Sequence, residues 1–292
     1  MSDQPERQHK RFFWFKAAIA TLILISLLGV YARFIEPKTL IVRNFDVTIA
    51  GWSGPTLRVI VLSDTHVGGR HMSAARVAKI MNKVRTLSPD LVLLAGDYVG
   101  GHLPMDQHSA ESRQEITDGL IAFGTGEPKF GTYAVLGNHD WWYDGGQVRS
   151  QLEQAGISVL TNEVALADID GWQLQIAGIG DITTHHADTN ALMAQMNPAL
   201  PSFTLTHNPD VFVGFTASAA MNFAGHTHGG QVWLPFLGRP GVPSKYGQRF
   251  ARGRYDDDPG IIMVTSGIGT SLLPIRFMTP PEIMVVRITG GS

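Results

Sequence analysis

The chain has 292 residues, 44% hydrophobic and 16% charged, enough to bury one sizeable core and carry an appendage. A formal net charge of -2, with no lysine or arginine run along one face, gives no support to nucleic-acid binding through phosphate neutralisation. The absence of cysteine excludes disulfides, thiolate metal sites and cysteine nucleophiles, and leaves the redox compartment open.

The appendage comes first. Ala17 to Ala32 is an uncharged apolar run of 16 residues, bracketed by Lys16 and Arg33 and preceded by Phe12, Phe13, Trp14 and Phe15. That is somewhat short of the roughly twenty residues a helix needs to cross a bilayer. Lys16 can snorkel, however, and the aromatic residues can lie at the interface, so residues 1–36 read as a tail and a single-pass membrane anchor. A cleaved signal peptide is the rival reading, because Val30-Tyr31-Ala32 offers small residues to a peptidase and Lys10-Arg11 before Phe13 faintly resembles a twin-arginine signal. Arg7, Lys10, Arg11 and Lys16 precede the span and Arg33, Lys38 and Arg43 follow it, which is only a slight bias toward a cytoplasmic N-terminus and an outward-facing domain.

Residues 37–56 read as a linker with a first strand at Leu40 to Ile49, and residues 57–292 as one folded domain. Within it, Ala74 to Leu87 places Val77, Ile80, Met81 and Val84 at helical spacing, with Ser73 as cap and Pro89 as terminator. Gln147 to Ala155 reads as a second helix closed by Gly156, followed by a strand at Ile157 to Leu160. Strand signals recur at Leu174 to Gly178, Ile261 to Thr265 and Ile283 to Ile288, while Gly100 to Asp118 reads as a mobile cap.

Five further apolar runs are too short for helices and read as buried strands: Leu57 to Leu62, Leu91 to Ala95, Thr132 to Leu136, Phe203 to Leu205 and Met221 to Ala224. Each ends in a turn rich in metal-ligand residues. The turns are Asp64-Thr65-His66, Gly96-Asp97, Gly137-Asn138-His139-Asp140, Thr206-His207-Asn208 and Gly225-His226-Thr227-His228-Gly229-Gly230-Gln231. Singly, most have ordinary explanations: Asp64 could cap a helix, and Asn138 or His207 could open a turn. Two imidazoles between glycines have no structural need, and five such turns at strand ends converge most simply on one pocket. Asp, Asn and His supply oxygen and imidazole nitrogen, which suits Mn, Fe, Zn, Co or Mg alike. Two ions need a shared carboxylate, and Asp97 stands between the two halves of the set.

In this pattern of Asp-x-His, Gly-Asp, Gly-Asn-His-Asp, a lone His and Gly-His-x-His, the chain resembles the calcineurin-like metallophosphoesterases from about residue 57 to its end. The resemblance implies an α/β (α+β) fold of two packed mixed β-sheets flanked by helices, a four-layer αββα domain, here behind an N-terminal transmembrane helix. It implies two divalent metal ions, with manganese the expected ion. One would be held by Asp64, His66, Asp97 and His228, the other by Asp97, Asn138, His207 and His226. A metal-bridging hydroxide would attack phosphorus, and His139, not a ligand, would steady charge or protonate the leaving oxygen.

Protein phosphatases of that superfamily carry Gly-Asp-x-x-Asp-Arg-Gly, whereas here Gly96-Asp97-Tyr98-Val99-Gly100-Gly101 lacks the second Asp and the Arg. Without an arginine fork for a phosphoryl group, the expected substrate is a phosphodiester or pyrophosphate, and His139 needs an orienting partner other than that Asp. Ser266-Gly267-Ile268-Gly269-Thr270-Ser271 with Pro274-Ile275-Arg276 and Pro280-Pro281-Glu282 resembles a branch of bacterial enzymes anchored in the cytoplasmic membrane. Some of these hydrolyse UDP-2,3-diacylglucosamine in lipid A biosynthesis, which implies a lipid-linked substrate and a cytoplasmic site. An exported phosphodiesterase of broad specificity and a metal-retaining tethered binding protein are the alternatives. Arg249, Arg254, Trp141 and Trp142 are candidate substrate contacts; His102, His108, His185 and His186 read as exposed or rim residues.

Overall fold

Two six-stranded sheets pack face to face in the computed structural model, which describes residues 4–217, 219–257 and 260–291. The first sheet has the order β1 (Ile41–Ala50), β12 (Glu282–Gly291), β2 (Leu57–Leu62), β3 (Leu91–Leu94), β4 (Thr132–Ala134) and β5 (Ser158–Val159). The second runs β10 (Gly253–Asp257), β11 (Gly260–Val264), β9 (Met221–Ala224), β8 (Ser202–Leu205), β7 (Trp172–Gly178) and β6 (Glu163–Ile169). Both are mixed: β2, β3, β4 and β5 pair in parallel, as do β7, β8, β9 and β11.

The near-continuous apolar strands follow from burial on both faces. Leu57, Val59 and Val61 of β2 and Leu91 and Leu93 of β3 point between the sheets, where they meet Phe203, Leu205, Met221 and Phe223. The alternate residues Ile60, Leu62, Val92 and Leu94 point the other way, into a core shared with α2 (Ala74–Thr86), α3 (Ala110–Ala122) and α4 (Asn138–Gln154). On the far side of the second sheet, Ala224, Ile262 and Val264 pack with Leu192 of α5 (Thr189–Met193) and Phe212. Helix, sheet, sheet and helix are thus the four layers expected.

The segment 37–56 carries β1, which pairs in parallel with β12 from Ile41 to Ala50 and so is woven into the first sheet. Ser73 caps α2 by accepting the Arg76 N–H. Two elements differ from expectation. α4 begins at Asn138 rather than Gln147, with extended backbone at Asp144 breaking it internally; the aromatic and glycine content of Trp141 to Gly146 hides that first turn. The second half of the expected mobile cap is α3, whose Ile116 and Leu120 are fully buried in the helix-side core.

Ahead of the domain, α1 (Gln4–Val30) continues through a wide turn at Tyr31–Ile35 and a tight one at Glu36–Lys38. From Arg11 to Lys38 it is long and apolar enough to cross a membrane, and almost none of it is covered by the domain.

Candidate metal centre

Parallel pairing puts the carboxyl ends of β2, β3 and β4 on one edge of the first sheet, and those of β8 and β9 on the matching edge of the second. Hydrogen bonds splice the two edges: His207 Nδ1 donates to Ala95 O (2.7 Å), His226 N–H to Asp64 Oδ2 (3.0 Å) and Gly269 N–H to Asp64 O (2.6 Å). Such close approach leaves no room for side chains at two turns. A Cβ on Gly137 would overlap Asp97 Oδ1, and one on Gly225 would overlap Ser63 Oγ.

Asp64, His66, Asp97, His226 and His228 all have φ between 51° and 67°, a left-handed conformation that side chains disfavour by about 1–3 kcal/mol each. Surrounding structure that overrides this preference five times in one place is arranged for something other than stability.

The side chains converge in three overlapping groups whose ligand atoms lie within 4.8 Å of one another: Asp64, His66 and His228; His66, Asp97 and His139; Asp97, His207 and His226. His66 Nε2 faces His228 Nε2 at 3.1 Å, and His207 Nε2 faces His226 Nδ1 at 3.0 Å. His66 and His207 donate their Nδ1–H to Val99 O and Ala95 O, which turns each Nε2 inward, as a lone pair on the neutral His66 and toward Asp97 Oδ2 on His207. Asp97 divides its labour. Its Oδ1 accepts the His139 N–H (2.8 Å), while Oδ2 lies 3.2 Å from His207 Nε2 and 3.9 Å from Nε2 of both His66 and His139. One oxygen therefore faces both groups, rather than one oxygen to each.

Two buried acceptors at the centre, Asp64 Oδ1 and Asn138 Oδ1, have no hydrogen-bond partner. Inward lone pairs and orphaned oxygens on fully buried side chains are unfavourable unless a cation sits among them, and a thiolate-free O/N set suits a hard or borderline divalent ion. Electrostatics agree. Burial pulls the imidazoles of His66 and His226 down to about 3, the neutral form a metal requires. His207 is the exception: burial works against its charge, but Asp97 and Asp64 lift it to about 10. Burial likewise raises Asp64 to about 7, so the cation-free centre retains protons that a metal would displace.

His139 stands at the edge of this cluster. Its Nδ1 donates to Gly101 O (2.6 Å), turning Nε2 toward Asp97. That carbonyl is the orienting partner the sequence could not name. Asp140 serves another purpose: its two oxygens accept the N–H groups of Asp97, Tyr98, Val99 and Gly137, tying the β3 turn to the start of α4.

A cavity of about 990 Å³ opens from this floor. Asp97, Asn138, His139, His226 and His228 line its base; Trp142 and His102 form one wall, packed on the His139 ring at centroid distances of 4.8 and 4.7 Å. Leu272, Leu273 and Ile275 form another. Three of the four candidate substrate contacts lie elsewhere. Trp141 stacks on His186 at 3.5 Å, Arg254 pairs with Asp256, and Arg249 lies over Tyr246 and Phe250; none lines the cavity. The aromatic and ionic partners next to each arginine in the chain hold them there. His185, with φ of 62°, is at the rim as expected, whereas Leu272 and Leu273 line the cavity with no signal in the sequence to mark them.

Two Asp/His groups sharing one carboxylate at the meeting edge of two mixed sheets define a metal-dependent phosphoester hydrolase. The chain belongs to the calcineurin-like phosphoesterases, the family that matches residues 57–243. It is 27% identical over 269 residues to the metallophosphoesterase YkuE of Bacillus subtilis, covering 90% of each chain. It is 26% identical over 277 residues to the phosphodiesterase YaeI of Escherichia coli, covering 94% of this chain and 97% of that one. To the UDP-2,3-diacylglucosamine pyrophosphatase LpxG of Chlamydia muridarum it is 24% identical over 322 residues, covering 88% and 92%.

Proposed function

We propose that the chain is a membrane-anchored phosphodiesterase or pyrophosphatase that uses two metal ions to hydrolyse a lipid-linked phosphate. The carrying observation is the cavity, which joins the buried Asp/His cluster to the apolar residues Leu272, Leu273 and Ile275. In this reading Asp64, His66, Asp97 and His228 hold one divalent ion, and Asp97, Asn138, His207 and His226 hold the other. Manganese is the first candidate. Two such ions would polarise the phosphoryl oxygens and make water a competent nucleophile at neutral pH.

The protein's own groups do the rest. Asp97 Oδ2 sets the spacing of the two halves, and its Oδ1 holds the His139 backbone. Burial lowers His139, while Asp97 and the Gly101 carbonyl favour its charged form; with Nδ1–H donated to Gly101 O, Nε2 carries a proton for the leaving oxygen only in that charged form. Trp142 packs on that ring and limits water around it. The apolar wall receives the lipid portion. Lys245 is the one Lys or Arg among the described lining residues, which fits a diester or pyrophosphate, with one charge on each phosphorus, better than a monoester with two charges on one.

UDP-2,3-diacylglucosamine, the substrate in the name of LpxG, combines a pyrophosphate with acyl chains and is the specific candidate, with a role in lipid A biosynthesis. That substrate would require the domain on the cytoplasmic side, against the slight charge bias of the proposed anchor. The test is a panel with Mn, Mg and Zn in turn, comparing UDP-diacylglucosamine, phospholipids, nucleotide diesters and aryl monoesters. Hydrolysis of the UDP-lipid in preference to monoesters is expected. Good diester turnover with the UDP-lipid untouched would discard that substrate, and monoester preference would discard the diester reading.

A further inference from the structure

The end of α1 is sewn into the domain. Arg276 N–H donates to Ala32 O (2.9 Å), the buried Glu36 carboxylate accepts the N–H groups of Met278 (2.9 Å) and Thr279 (2.5 Å), and Arg76 donates to Pro37 O (2.8 Å). The Tyr31 ring meets Phe277 edge-on, with centroids 6.4 Å apart. The strip that receives the helix, 271–278, is bonded in turn to the loop 231–238. Trp233 N–H donates to Phe277 O (2.9 Å), Gln231 Nε2 to Leu273 O (3.0 Å), and Ser271 N–H to Gln231 Oε1 (2.6 Å). Three segments far apart in sequence thus form one junction at the point where the anchor leaves the domain.

That junction carries apolar side chains with nothing over them. Phe236 and Leu237 are 107% and 74% exposed, Leu272 and Leu273 are 86% and 62%, and Phe34 and Ile35 at the helix end are 55% and 51%. Phe236 and Leu272 also sit at φ of 68° and 50°, so the backbone takes an unfavourable conformation to present them outward. Soluble surfaces rarely gather such residues without a partner. Continuity with the anchor identifies the partner, because these loops and the lipid-facing helix share the same hydrogen-bonded frame. Arg33, beside Phe34 at 5.0 Å, is placed for the headgroup level.

We propose that Phe236-Leu237 and Leu272-Leu273 dip into the leaflet from which α1 emerges, so that the cavity mouth is seated on the bilayer surface. Tips of this kind enter the headgroup and acyl boundary to roughly 5–10 Å. Since Leu272 and Leu273 also line the cavity, a lipid-linked phosphate passes from the leaflet to the Asp/His floor without exposing its acyl chains to water. This rests on the reading of α1 as an anchor and specifies how the proposed substrate class arrives.

The cysteine-free chain allows a direct test in the full-length protein. Single cysteines at Phe236, Leu272, Leu22 within the span and Leu166 on β6 would each carry an environment-sensitive fluorophore, with the protein reconstituted in liposomes containing spin-labelled lipid. Quenching at 236, 272 and 22, with none at 166, is the expected result. A quenched 22 beside unquenched 236 and 272 overturns the docking, as would shielding of those two labels by a second copy or a protein partner. In parallel, Phe236→Asp with Leu237→Asp should raise KM for substrate presented in liposomes by roughly tenfold or more, while leaving turnover of a soluble aryl diester unchanged. An unchanged KM for the liposomal substrate would also overturn it. If no lipid-linked substrate is cleaved, the substrate reading alone falls, and the label pattern still decides the docking.

Discussion

The floor and the mouth of one cavity use the same disfavoured backbone conformation to opposite ends. At the floor, Asp64, His66, Asp97, His226 and His228 are turned inward, mostly fully buried and held by hydrogen bonds from both sheets. At the mouth, Leu272 is turned outward into open space, as is Phe236 in the loop bonded to the same strip. The difference teaches that two kinds of information lie in separate places: polar convergence at the strand ends sets the reaction class, and the apolar side chains presented beside the end of α1 are where the proposed substrate delivery is written.

The floor is the place to break the comparison hardest. Asp97→Asn keeps the shape of the side chain but removes the charge shared by both groups; turnover of an aryl diester with manganese should fall below detection while circular dichroism stays unchanged. His139→Ala should cost about 10²- to 10⁴-fold in kcat with both metals retained by elemental analysis, because the proposed role is acid–base chemistry rather than ligation. Loss of a metal in this variant would move His139 into the ligand set.

Asp140→Asn should come next. An amide cannot accept from all four backbone N–H groups that Asp140 now holds, so the β3 turn loosens against α4. A fall of about 10- to 100-fold in metal affinity, read by competition with a chelator, is expected, with less effect on kcat at saturating metal. Smaller still is the protonic signature of loading. With His207 lifted to about 10 and Asp64 to about 7, the metal-free centre at pH 7 holds about one to two protons that cations displace. Calorimetry in buffers of different ionisation enthalpy should report that release, and affinity should weaken as pH falls. The mouth should respond to none of these floor substitutions in its membrane contact.

The floor was largely legible in the sequence because each of its turns pairs a ligand-type side chain with the end of an apolar run, and parallel strands carry those ends to one edge. Asp64, Asp97, His207 and His226 lie in overlapping groups of ligand-type atoms, and Asn138 lines the same cavity floor. What was hidden has physical reasons. Gly101 orients His139 through a main-chain carbonyl, which every residue has. Asp140 braces rather than reacts, and nothing in its letter separates the two. α3 lies within a polar stretch whose buried residues, Ile116, Gly119 and Leu120, give too narrow an apolar stripe to announce a helix. The mouth was illegible for a different reason: Phe236 and Leu272 are ordinary apolar letters 36 positions apart, and their segments are joined at the end of α1 by the hydrogen bonds that Ala32 O and the Glu36 carboxylate accept and by those of Gln231.

The central claim is that one carboxylate oxygen, Asp97 Oδ2, unites two cation sites. Anomalous diffraction from crystals grown with manganese tests it most directly. Two peaks roughly 3.5–4 Å apart on either side of that oxygen are predicted, one beside Asp64, His66 and His228 and the other beside Asn138, His207 and His226. A single peak, or two that do not share Asp97, would contradict the account.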